Sequence, residues 1–282
     1  MSAGNVDFEN KVAVVTGGAS GIGRATAVAM ARLGADVVLA DVNARRLEEA
    51  RTEIAKLGRR VLAVDCDVAE DASVESLART ALGEMGHVDI LMNNAGVVLR
   101  GALEQISIAD WEWCLGVNVL GVVRGIRAFL PHMLARGSGY IVNTASVAGL
   151  LALTGEGAPY IASKFAVVGL SEALALYARP FGIGVSVLCP GSVDTNLSET
   201  GRTVGMSPER AAAETAVAAT VQGSRLMTAD EVAQLVVDGI RGERFFILAD
   251  PSHRPILVSR AQDPNAFLEA RLAARGVEPA ED

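Results

Sequence analysis

The 282-residue chain is poor in several features. It has only three cysteines, Cys66, Cys114 and Cys189, an odd number at wide spacing. That excludes a disulfide framework and a cysteine metal cluster. The three histidines, His87, His132 and His253, are equally scattered, and no metal is expected. Aromatics make up 4% of a chain that is 50% apolar, so its core must be built from Ala, Val, Leu and Ile. Such an apolar chain is not disordered. Lys and Arg (25) are outnumbered by Asp and Glu (33), a net charge of -8, so no nucleic-acid partner is expected. The densest basic groups, Arg45-Arg46 and Arg59-Arg60, are diluted by nearby acids. No uninterrupted apolar run approaches the ~20 residues of a membrane span. The start, MSAGNVDFENK, lacks the basic and apolar regions of a secretory signal. A cytoplasmic protein without a membrane partner is the expectation.

What is present is a repeated alternation. Short apolar runs predict strands at Lys11–Thr16, Asp36–Asp41, Arg60–Asp65, Val88–Asn93, Tyr140–Ala145, Gly184–Leu188 and Arg244–Leu248. Helical periodicity predicts helices at Gly21–Leu33, Ala44–Leu57, Ala72–Met85, Ile108–Ala135, Pro159–Arg179 and Ala229–Arg241. Continuous apolar strands separated by helices imply a parallel sheet covered on both faces. The expected fold class is α/β, a doubly wound, three-layer αβα Rossmann fold in a single domain. The expected domain spans residues 10–250, with a tail at 1–9 and an extension at 251–282. The segment Asn196–Thr228 is too long for an ordinary connection of ~2–6 residues and reads as a lid.

In such sheets ligands bind beyond the carboxyl ends of the strands. There the first strand runs into Thr16-Gly17-Gly18-Ala19-Ser20-Gly21-Ile22-Gly23. Gly17 suits a tight turn, Gly21 lets backbone approach a pyrophosphate, and Gly23 permits close helix–strand packing. The following helix offers free N–H groups and a positive dipole end to phosphate. Asp41 ends the second strand about twenty residues later, where a carboxylate binds the adenosine ribose hydroxyls and repels a 2′-phosphate. Ser20 adds no charge, and Arg45 and Arg46 stand a helical turn away. NAD is expected rather than NADP.

The TGxxxGxG spacing resembles that of the classical short-chain dehydrogenase/reductase (SDR) family. Other motifs of that family follow in order: Asp67-Val68, Asn93-Asn94-Ala95-Gly96, Asn118, Ser146, Tyr160-Ile161-Ala162-Ser163-Lys164, and Pro190-Gly191 with Thr195. The resemblance covers roughly residues 10 to 250. It implies an oxidoreductase that interconverts an alcohol and a ketone, with Asn118, Ser146, Tyr160 and Lys164 catalytic. Tyr160 would be the general acid/base. A free tyrosine, with a pKa near ~10, is a poor base at neutral pH, and a neighbouring ammonium and the positive nicotinamide ring would together lower that value. Tyr160 and Lys164 lie four apart, on one helix face. Ser146 would hold the substrate oxygen, Asn118 a relay water, and Lys164 the nicotinamide ribose. The resemblance also implies cofactor contacts at Gly17, Ser20, Gly21, Ile22, Gly23, Asp41, Asp67, Val68, Asn94, Ala95, Gly96, Tyr160, Lys164, Val193 and Thr195. It implies a homodimer or homotetramer as well.

The substrate wall is expected from Val97–Gly101, Val147–Ala158 and Asn196–Thr228. These carry Val98, Leu99, Leu150, Leu151, Leu153, Leu197, Val204 and Met206, with Glu156, Glu199 and Arg202 as polar contacts. The expected substrate is a bulky, mostly apolar secondary alcohol or its ketone. Trp111 and Trp113, two apart, should not share a helix face. A non-catalytic dinucleotide-binding regulator or scaffold on the same fold is the alternative, which loss of any tetrad residue would favour. None is lost. A nucleotide-sugar epimerase is disfavoured by the glycine spacing.

Overall fold

The computed structural model describes residues 6–152, 154–207 and 225–274. Seven parallel strands form one sheet: β1 (Val12–Thr16), β2 (Asp36–Asp41), β3 (Val61–Asp65), β4 (Ile90–Asn93), β5 (Gly139–Thr144), β6 (Ile183–Cys189) and β7 (Phe246–Leu248). Their order is β7-β6-β5-β4-β1-β2-β3. The winding direction reverses between β1 and β4, paired with Ala13 opposite Ile90 and Val14 opposite Leu91. The order is that of a Rossmann fold, as the alternation predicted, and the reversal opens a crevice at the strand ends.

Strand alternation builds both layers. Val12 and Val14 enter a core shared with α3 (Asp71–Met85), α5 (Gly121–Arg136) and α6 (Ala158–Ala178), through Leu77, Phe129 and Val167. Ala13 and Val15 enter the opposite core, shared with α1 (Gly21–Arg32), α2 (Ala44–Ala55) and α7 (Ala229–Arg241), through Met30, Ile54 and Val236. Phe8 is fully buried in that second core, so packing begins ahead of residue 10. The segments Ile108–Arg136 and Ala158–Phe181 are long and apolar enough to cross a membrane by length and composition. One face of each packs on the sheet and supplies the first core.

Predicted boundaries lie within two residues of those found, with one change of kind. The helix expected over Ile108–Ala135 is α4 (Ile108–Leu115), a π-helical turn at Gly116–Leu120, and then α5. The turn inserts an extra residue at Asn118, and such turns often mark functional sites. The extension forms α8 (Arg254–Gln262) and α9 (Pro264–Ala274). Part of the expected lid is a 3-10 turn at Asn196–Thr200 and a strand, Arg202–Val204, pairing with Leu99–Gly101. The rest of the lid, 208–224, and Leu153 lie outside the described residues.

Asp89 ties the sheet together at the end away from the crevice. Its carboxylate, 5% exposed, accepts from Val12 N at 2.9 Å and pairs with Arg136 at 3.1 Å and His87 at 3.1 Å. Burial alone would raise its pKa. The Val12 N–H, Lys11, Arg136 and His87 together hold it below the ordinary carboxylate value. Removing one partner of a buried charge cluster typically costs about 3–5 kcal/mol. Asp89→Ala should therefore lose stability of that order in urea unfolding at pH 7. The depressed pKa means the contribution is present at neutral pH, so the gap to wild type should shrink as pH falls below about 4.

Candidate active site

A cleft of about 450 Å³ lies across the carboxyl ends of the strands. Its floor is bare backbone. Gly17 and Gly21 have φ of +63° and +51°, a region that side chains avoid. Gly23 lies deeper: a Cβ there would sit 2.2 Å from the Gly17 carbonyl oxygen, so close packing requires glycine. Gly17, Ser20, Gly21 and Ile22 line the cleft. Ser20, at the N-cap of α1, makes no side-chain cap, whereas Thr228 caps α7 with a reciprocal capping box. The start of α1 thus presents its N–H groups to the cleft rather than to its own cap.

Asp41 stands at the end of β2 and lines the cleft. It also shapes the loop, accepting from Ala19 N at 3.1 Å and from Asn43 N at 2.9 Å. Arg46, a helical turn beyond Asp41 in sequence, lines the same end of the cleft. The first turn of α2 carries it there, after the Asn43 cap. It is paired with Glu199 of the lid turn at 2.7 Å. Arg45 points elsewhere, onto Glu49. Asp67, Val68, Asn94, Ala95, Gly96 and Thr195 also line the cleft. The Asn94 side chain faces the frame, donating to Thr16 O at 3.1 Å and accepting from Thr144 Oγ1 at 3.3 Å. Val193 is not among the lining residues; it pairs with Met227 in a two-stranded ladder.

The other end of the cleft brings together the four residues expected to be catalytic. Ser146 follows β5; its hydroxyl donates to Pro190 O at 3.4 Å and accepts from Ala148 N at 3.1 Å, and it lies close enough to the Tyr160 hydroxyl to lower that group's pKa. Tyr160 and Lys164 project from the first turns of α6, with Lys164 Nζ 5.6 Å from the tyrosine ring centre. Lys164 donates to Thr144 O at 3.0 Å and is 4% exposed. Asn118 is buried in the π turn, and its amide is fully occupied. Oδ1 accepts from Val97 N at 2.8 Å, and Nδ2 donates to Val97 O at 2.9 Å and Ser163 Oγ at 3.0 Å. Ser163 in turn donates to Tyr160 O at 2.6 Å. Ser163 therefore joins the π turn to the Tyr160 helix. Its spacing from Tyr160 signals a shared face, but nothing in the sequence pairs it with Asn118, 45 residues away.

The expected lowering of the Tyr160 pKa takes the Lys164 ammonium and the nicotinamide together. In the protein alone, burial pushes the Tyr160 hydroxyl above its ordinary value, opposed by the Ser146 hydroxyl and the charge of Arg100. Burial also brings the Lys164 ammonium down to about 8, with the Cys114 and Cys189 sulfurs opposing. Removal from water outweighs the opposing contributions at both groups. Arg100 is a cation near Tyr160 that motif reading passed over.

The substrate wall is only partly as expected. Leu197 lines the cleft, joined by Val97, Val117 and Trp113. Leu99 and Leu151 are interior instead, at 0% and 1% exposure, because they fill small cores under the loops. Val98 is buried too, and Val204 packs on the Leu99 core. Leu150 packs against two cores, and Met206 does not line the cleft. Glu156 is buried, its carbonyl accepting from Gly101 N, and Glu199 lies at the Asp41 end. Arg202 stacks on Trp113 at 3.9 Å and pairs with Asp110. Trp111 and Trp113 flank one small core despite their spacing. The three cysteines are free and buried, and no metal-binding cluster occurs among the described residues.

The same arrangement occurs in known proteins. Residues 11–203 match the family model described as short chain dehydrogenase. The 1-deoxy-11-beta-hydroxypentalenate dehydrogenase of Streptomyces exfoliatus is 35% identical over 250 residues, 88% of this chain and 86% of that protein. The meso-2,3-butanediol dehydrogenase of Serratia marcescens is 40% identical over 191 residues, 68% of this chain and 74% of that one. A short-chain dehydrogenase/reductase from Burkholderia phymatum, solved in complex with NAD, superposes with a TM-score of 0.84 at 37% identity. That match covers 98% of this chain and all of the other. The chain is an oxidoreductase of the short-chain dehydrogenase/reductase family. The glycine floor, the uncapped start of α1 and the Asp41 carboxylate fit the dinucleotide that this family binds.

A buried lysine whose pKa falls on folding is a burden on stability at neutral pH. Lys164→Met should unfold at a higher temperature than wild type at pH 7, by a difference on the order of 1–3 kcal/mol. The unfolded chain binds more protons at this site between pH about 8 and the ordinary lysine value. Wild-type stability should therefore rise across that window and the gap should close, as followed by thermal melts at several pH values.

Proposed function

We propose that the protein interconverts a secondary alcohol and its ketone, using NAD in preference to NADP. The observation that carries this reading is the convergence of Ser146, Tyr160 and buried Lys164 at the end of the cleft opposite Asp41. When bound, the nicotinamide supplies a hydride acceptor and, in its oxidised form, a positive charge beside the tyrosine. Tyr160 takes the hydroxyl proton in oxidation and returns it in reduction. Ser146 orients the substrate oxygen against the Tyr160 hydroxyl. Lys164 holds the nicotinamide ribose and stabilises the phenolate. Asn118 is a positioning residue, since Val97 and Ser163 already occupy its side-chain amide; a relay water would rest on its main chain. Gly17, Ser20, Gly21, Ile22 and the start of α1 hold the pyrophosphate. Asp67 and Val68 hold the adenine, Asn94–Gly96 line the ribose path, and Thr195, which lines the cleft as Val193 does not, approaches the carboxamide.

The substrate class we favour is a bulky, mostly apolar alcohol such as a terpenoid, steroid or aryl alcohol. The support is the wall of Val97, Trp113, Val117 and Leu197. A relative named for a hydroxypentalenate agrees with it. Assembly as a cytoplasmic homodimer or homotetramer is supported by the exposed row Leu176, Tyr177 and Phe181 at the end of α6. The domain reading is 10–250 with the extension 251–282. An intact tetrad disfavours a purely regulatory role.

Tyr160→Phe should lower kcat by roughly 10²–10⁴-fold and leave NADH binding, read by fluorescence, nearly unchanged. Unaltered turnover would remove Tyr160 from the chemistry. Across an alcohol panel, turnover confined to small sugars or hydroxy acids would contradict the apolar substrate class. Asp41→Ala should shift the NADP-to-NAD ratio of kcat/KM toward NADP by roughly tenfold or more.

A further inference from the structure

Asp41 does not stand alone at its end of the cleft. Arg46 lines the same end and is the one guanidinium among the lining residues. Left to itself, a guanidinium beside the ribose would attract a 2′-phosphate and work against Asp41. Its charge is instead met by a carboxylate 153 residues away in sequence. Glu199, in the 3-10 turn that opens the lid segment, accepts from Arg46 Nη2 at 2.7 Å. That turn also brings Asn196, Leu197 and Thr200 to the cleft. The ion pair therefore runs from the adenosine side to the lid. Arg46 is 28% exposed and Glu199 59%, so the pair is accessible to solvent and able to open.

We propose that Glu199 is a second determinant of cofactor choice: from the 3-10 turn at Asn196–Thr200 it takes up Arg46, leaving Asp41 as the charge facing the ribose 2′ position, and it ties that turn to the adenosine end of the cleft. The inference rests on the reading of this cleft as a nucleotide site. It assigns Glu199 to the adenosine side and away from substrate. It also makes discrimination depend on the 196–200 turn as well as on β2.

The test is a double-mutant cycle on full-length protein: wild type, Glu199→Gln, Arg46→Ala and both together, without substrate. Dissociation constants for NADH and NADPH are read by fluorescence and NADH release by stopped flow. Glu199→Gln should improve NADPH binding relative to NADH by roughly three- to fivefold, the size expected of one exposed ion pair. Adding Arg46→Ala should abolish that gain. NADH should leave faster in each single variant, and no faster still in the double. An unchanged NADPH-to-NADH ratio in Glu199→Gln would overturn the proposal. So would the same gain with Arg46 absent, since Glu199 would then act through its own charge alone. Tighter binding of NADPH by wild type would instead count against the NAD reading, while the coupling between residues 46 and 199 is still read from the cycle.

Discussion

The active end of this protein depends on one unfavourable interaction, the burial of the Lys164 ammonium. It is 4% exposed and meets a backbone carbonyl, with no carboxylate paired to it among the described residues. Desolvation brings it to about 8 and pushes Tyr160 the other way. Both effects favour the uncharged forms. In the protein alone, the tyrosine is therefore a weak base and the lysine a weakened cation. In the proposed reaction, oxidised dinucleotide would bring a further positive charge to the cleft and so tie the ionisation of Tyr160 to cofactor occupancy.

The scaffold exists to hold that cost in place. Two cores fix the sheet from both faces, and Asp89 ties β1, the approach to β4 and α5 at the far end. At the near end, Asn94 stitches β1 to β5, and Asn118 and Ser163 join the π turn, the loop after β4 and α6. These are satisfied polar networks, which rigidify when complete. Much of what motif reading assigns to ligand contact has this second role. Asp41 shapes the glycine loop through Ala19 N, and the Asn94 side chain belongs to the frame.

The fold was legible because strand and helix periods differ and each strand is bounded by turn residues. The glycine loop was legible because its mechanism demands glycine at fixed offsets; Gly23 against the Gly17 carbonyl is the clearest case. The π turn was not, since an extra residue in a helix leaves the apolar pattern nearly intact. The substrate wall was read too broadly: Leu99 and Leu151 are as apolar as true lining residues, and only packing sends them inward. That Arg46 reaches the cleft while Arg45 does not was not legible, because a helical turn in sequence says little about where a long side chain ends. Its partner Glu199 and the Asn118–Ser163 bond are pairings across long separations, which a single sequence does not encode locally. The cost of burial at Tyr160 and Lys164 was not legible, because motif spacing says nothing of how far a side chain is removed from water.

The most direct test is an ultraviolet difference titration of tyrosine ionisation, wild type minus Tyr160→Phe, with and without saturating oxidised dinucleotide. The chain has only three tyrosines, so the Tyr160 signal is separable. The account predicts that Tyr160 ionises above the ordinary tyrosine value of ~10 in the free protein and well below it with nucleotide bound. Ionisation already depressed in the free protein, or unmoved by nucleotide, would contradict it.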